Sequence, residues 1–188
     1  MAEIPKLHQE GYDRLTIGLH WATAVMVAIQ FVIGKTAPLL PRGALRVDIW
    51  SIHVVQGFVL SAVVLAGVFW RRMHRRTAPT ERGVFRALAT ATHHMLEALL
   101  IMIVALGILD VFAHAFPLFN VVSFPRLGDD QFMRHVNAWH EVAANILIVV
   151  ALGHAGAALL HHYVLRDNIL TRMWPGPGER ESGHNSTS

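Results

Sequence analysis

Apolar residues run through this chain in four long, nearly uninterrupted blocks, over about residues 15–34, 49–70, 87–112 and 138–165. A hydrocarbon core about 30 Å thick takes roughly 20 helical residues to cross, and each block is long enough. Barrel strands alternate apolar and polar residues over about ten positions, whereas these runs neither alternate nor stop at that length. In lipid a helix satisfies its own backbone polar groups within one segment. The pattern predicts an all-α fold, an integral membrane four-helix bundle.

The polar punctuation fits that outline. Asp13 and Asp48 stand where they would cap the first two helices, and Asn137 where it would cap the fourth. Pro38 and Pro41 mark the first connection, Pro79 the second, and Pro117 and Pro125 the third. The expected organisation is an N-terminal segment over 1–14, a transmembrane domain over 15–165 and a tail over 166–188 whose polar end reads as disordered. Ala22-Thr23-Ala24 has the look of a signal cleavage site, but the apolar run continues for nine residues past it, which predicts a retained span.

Composition sharpens the class. The chain is 53% hydrophobic and 15% charged, against about a quarter charged in soluble domains, and its mean hydropathy is +0.40. Cysteine is absent, which excludes disulfides, iron–sulfur clusters, thiolate zinc sites and covalently attached haem. The sequence pI is near 9.9. Six arginines cluster between Arg71 and Arg86, beside a predicted span, where they act as a topogenic signal rather than a nucleic-acid surface. Eleven Lys and Arg residues fall on the side holding both termini and the second connection. Only Lys35, Arg42, Arg46, Arg126 and Arg134 fall on the other, so both termini are expected to be cytoplasmic.

Thirteen histidines are the compositional anomaly, and eight lie in or at the ends of the predicted spans. Ionisable groups at membrane depth are costly and read as functional. His140 and His154 are 14 residues apart on the fourth helix, which is about 21 Å of rise and about 40° from perfect alignment. They share a face at two depths. With both termini inside, His20 matches the depth of His154, and His53 that of His140. Two imidazoles filling both axial positions of a haem iron leave no open site and favour electron transfer. A carboxylate-bridged metal bundle would need several inward glutamates and Glu-x-x-His motifs, and the spans offer Glu97 and Glu141 alone. Gly57, Gly107, Gly153 and similar small residues allow close approach within the spans.

His20-Trp21, the isolated His53 and Trp139-His140-Glu141 resemble the prokaryotic cytochrome b-561 family. The most specific stretch runs from Gly153-His154 through His161-His162-Tyr163 to Asp167-Asn168 and Arg172-Met173, and the similarity spans about residues 12–175. The resemblance implies a di-haem electron carrier of the bacterial inner membrane, with haem ligands at His20, His53, His140 and His154. It also implies a link to ubiquinone, and the nearest activity in the family is oxidation of superoxide at the outer face.

On that reading the five outer basic residues would draw in the anion, diluted by Asp110, Asp129 and Asp130. His161, seven residues after His154, is the candidate for the quinone site. Glu97 is expected to pair with His93 or His94 on its own helix. Trp21, Trp50, Trp70 and Trp139 suit interfacial anchors or haem neighbours. His8, His74, His114, His135 and His184 carry no expected role. The alternative function is a haem-bearing anchor subunit passing electrons between a soluble redox partner and the quinone pool. A small transporter or structural membrane protein is the non-redox alternative, and it predicts a colourless preparation.

Overall fold

The computed structural model describes residues 13–74, 84–166 and 170. Within them the chain forms four long helices: α1 (Arg14–Thr36), α2 (Ala44–Met73), α3 (Val84–Ala113) and α4 (Asp130–Tyr163). All four are long and apolar enough to cross a membrane. Arg75, Arg76, Arg82, Pro79 and the tail from residue 171 onward lie outside the described residues, as does the N-terminal segment up to residue 12.

α1 packs closely on α2 and α3 on α4, while α2 meets α3 less and α1 barely touches α4. The bundle is therefore two helical hairpins with a seam between them. Its interior is thin, with Leu60, Val64, Leu99, Val136, Ala143 and Leu147 among the buried residues. Val32, Phe69, Val149 and Leu152 point outward, which suits a surface whose solvent is lipid. Hydroxyls inside the spans are satisfied locally: Thr23, Thr36, Ser51, Ser61 and Thr92 each donate to the carbonyl four residues earlier.

The helix ends correct two of the three expected caps. Asp48 lies inside α2, which begins after Gly43, and Asn137 lies inside α4. The cap of α4 is Asp129, whose Oδ1 accepts from the Phe132 N–H at 2.8 Å. Gly128 just before it sits at φ +94°, and a Cβ there would lie 2.5 Å from Phe132. Apolar blocks mark where lipid begins, not where a helix begins, and the first turns of α4, from Asp130, are polar. Asp13 does occupy the N-cap position of α1, but its side chain makes no bond to the helix backbone. It accepts instead from the Thr16 hydroxyl and from the Trp70 indole N–H at 2.9 Å, tying α1 to α2. Those bonds, Thr16 first, hold the Asp13 carboxyl below the usual carboxylate range.

The connection from α3 to α4 holds a short antiparallel hairpin, β1 (Pro117–Leu118) and β2 (Val122–Ser123). Its tip residues Phe119 and Asn120 adopt φ of 48° and 56°. Ser51, fully buried on α2, accepts from the Phe119 N–H at 2.8 Å and so pins the tip to the bundle. Phe124 follows and packs on Phe58 of α2 and Phe112 of α3.

Candidate functional site

Each span places at least one histidine at a defined depth. His53 lies nine residues into α2 and His140 ten into α4, so both sit about 15 Å from their helix starts. Their ring centroids are 6.4 Å apart with planes at 75°. His20 of α1 and His154 of α4 form a second pair, 6.5 Å apart at 72°. Both pairs bridge the seam between the two hairpins. His140 and His154 share α4, so the two levels are about 21 Å apart along that helix.

The first pair borders a cavity of about 520 Å³ that reaches all four helices, within the size range of small-molecule and cofactor pockets. Its wall includes Gly34, Trp50, Gly57, Gly107 and Asp110 as well as the two imidazoles. The glycines make room. A Cβ on Gly107 would come within 3.0 Å of the His140 ring, and one on Gly34 within 3.6 Å of the His53 ring. Trp50 packs edge-on against His53 at 5.3 Å. His53 and His140 each keep a buried Nδ1 with no hydrogen-bond partner.

These features can be tested against a haem. Metal–imidazole bonds of about 2 Å, plus roughly 1 Å from nitrogen to ring centre on each side, put two trans imidazoles about 6 Å apart between centroids. Both pairs have that spacing. Among the described residues no three His, Asp or Glu side chains gather to hold a bare ion. A pair of imidazoles suffices when the metal brings four equatorial ligands of its own, as in a porphyrin. The residues present fit haem.

Other expected residues fall elsewhere. His161 is half-buried in the last turn of α4. Beside it His162 packs against Tyr163 at 4.8 Å and keeps a buried Nδ1 without a partner. Glu97 lies 3.5 Å from the Arg71 guanidinium of α2, a different partner from the same-helix histidines expected. Lys35 pairs with Glu141 at 2.8 Å, joining α1 to α4, and Arg126 pairs with Asp130. Trp139 is a surface residue, while Trp70 stacks on His74 at 3.7 Å.

His93, expected only as a same-helix partner for Glu97, lies instead beside the second imidazole pair. Its ring lies 5.1 Å from that of His154, and its Nδ1 is 2.8 Å from the Ala89 carbonyl. A carbonyl only accepts, so Nδ1 carries the proton. The signal was present in depth: His93 stands nine residues into α3, a level comparable with His20 and His154.

A four-helix apolar bundle with imidazole pairs at two depths defines a multi-pass membrane cytochrome of the b type. Residues 11–176 match the family described as prokaryotic cytochrome b561, and the chain belongs to that family. It is 28% identical over 179 residues to cytochrome b562 of Cereibacter sphaeroides, covering 88% of this chain and 96% of the relative. It is 27% identical to the probable superoxide oxidase CybB of Yersinia pestis (87% and 96% covered) and 27% identical to cytochrome b561 homolog 1 of Escherichia coli (87% and 97%). The chain is thus a bacterial haem-b membrane protein of electron transfer, with an oxidoreductase role.

Proposed function

We propose that this chain holds two haem b groups, one between His53 and His140 and one between His20 and His154, and passes electrons from superoxide to ubiquinone. The observation that carries the reading is the matched imidazole spacing, 6.4 and 6.5 Å, at two depths of one helix. The superoxide assignment draws on the likeness to a probable superoxide oxidase. Both termini, with segments 1–14 and 166–188, lie on the cytoplasmic side of the inner membrane, and 15–165 form the membrane domain. Held by these residues, haem b would supply reversible one-electron transfer.

The balanced reaction takes two superoxide anions, one ubiquinone and two protons to two dioxygen molecules and one ubiquinol. The chain's own residues have two tasks: to attract an anion at one end and to deliver protons at the other. Arg46 and Lys35 line the cavity at the His53–His140 level. Lys35 shares its charge with Glu141 and Arg126 with Asp130, so Arg46 contributes more of the attraction than a count of charges implies. His161, one helical heptad beyond His154, donates a proton to a quinone oxygen at the other end, as an imidazole N–H can.

The test is stopped-flow mixing of the purified holoprotein with superoxide, then with a ubiquinone analogue. Reduction of the haems that slows with added salt, followed by reoxidation by the quinone, supports the assignment. Haems that dithionite reduces but superoxide does not would overturn the donor. Reduction by a co-purifying redox protein alone would favour the anchor-subunit reading.

A further inference from the structure

We infer that Gln30 is a positioning residue for His53 and, through its amide dipole, sets the redox potential at the His53–His140 site. The inference rests on the ligand assignment above. Gln30 is the one polar residue in the apolar stretch 24–34 of α1, and it lines the same cavity as the two imidazoles. Its Nε2 donates to the His53 backbone carbonyl at 2.9 Å, across from α1 to α2. That contact fixes the amide's orientation, because the flipped amide would set its oxygen against the carbonyl oxygen.

Oε1 is then buried and makes no hydrogen bond. An unsatisfied buried acceptor is costly and uncommon. Gly57, one turn after His53, gives the amide its place: a Cβ there would stand 3.1 Å from Nε2. A glycine clears the way, an amide grips the carbonyl of the ligand residue, and the negative end of a fixed dipole stays in the cavity wall. In low dielectric such a dipole acts strongly. It favours the more positive, oxidised state of a metal centre beside it.

Gln56 provides an internal control. Its Nε2 donates to the Met26 carbonyl at 3.4 Å, another α2-to-α1 bond, but it borders a separate crevice and not the imidazole cavity. A purely structural role for such bonds would make the two glutamines equivalent.

The experiment is a spectroelectrochemical titration of the holoprotein, with low-temperature EPR, on Gln30→Leu, Gly57→Ala and Gln56→Leu. The two haems are distinguished beforehand by His53→Ala and His154→Ala. Gln30→Leu is expected to raise the reduced-to-oxidised ratio of the His53–His140 haem at least about threefold at fixed potential, about 30 mV for a one-electron couple. Its EPR signal moves too, and the other haem is unmoved. Gly57→Ala displaces the amide without removing it and gives a smaller shift in the same haem, so it decides the matter if Gln30→Leu does not fold. Gln56→Leu lowers thermal stability and leaves both potentials in place. The inference is overturned if Gln30→Leu or Gly57→Ala leaves that haem's potential and EPR signal unchanged, or if Gln56→Leu shifts it equally. Failure of His53→Ala to remove one haem selectively would instead overturn the ligand assignment.

Discussion

Adding a single methyl group to Gly107 presses directly on the His140 imidazole. The new Cβ would stand 3.0 Å from His140 Cε1 and 3.5 Å from Nδ1, whereas carbon atoms pack at about 3.5–4.0 Å. The ring has to give by about half an ångström, away from α3, and its far side is set by the 6.4 Å spacing to His53. Overpacking of this kind costs about 1–3 kcal/mol. Applied to cofactor binding, that is roughly a 5- to 150-fold weaker hold at one site, since about 1.4 kcal/mol is a factor of ten. Gly18 is the matched control, because a Cβ there meets nothing within 4 Å and two residues of helix turn it to the opposite side of α1 from His20. The assay is haem per chain by pyridine haemochrome, with EPR of each low-spin signal. Gly107→Ala should lose or perturb the signal of one haem only, and Gly18→Ala should match the unaltered protein. Two full haems with unaltered signals in Gly107→Ala would refute the claim that His140 is held in place by the missing side chain.

Further outcomes follow from the same structure. Asp129→Ala removes the cap of α4 and should lower stability by about 1 kcal/mol, read as a fall in Tm, whereas Asn137→Ala should cost less because Asn137 is no cap. The Asp13 carboxyl is held below its ordinary value, so its stabilising contribution is present at neutral pH and is lost as pH falls through its folded pKa. Asp13→Asn should therefore flatten the acid side of the stability profile and leave the alkaline side alone; an unchanged acid limb would count against the Thr16 and Trp70 bonds. Ser51→Ala frees the hairpin tip, and amide exchange at Phe119 should quicken at least tenfold; protection equal to that of the unaltered chain would show that the hairpin holds itself.

The four spans were legible because lipid imposes long apolar runs that no soluble fold requires. The imidazole pairs were legible because helical rise converts sequence position into depth. What escaped depended on contacts distant in sequence. The hairpin at β1 and β2 needs positive φ at Phe119 and Asn120 and a hydroxyl 68 residues away at Ser51, and no local pattern announces that. Glu97 was assigned a same-helix partner because i,i+4 neighbours are the ones a sequence displays, while Arg71 reaches it from α2. His93 needed the true start of α3, three residues earlier than the apolar run, before its level could be matched to His154.

The central claim is that four imidazoles hold two haems at two levels of one bundle, and a pyridine haemochrome count on His140→Ala, His154→Ala and the double variant tests it most directly. The account predicts two haems in the unaltered chain, one in each single variant with a different absorption maximum retained in each, and none in the double. A double variant that keeps its full visible spectrum would contradict it.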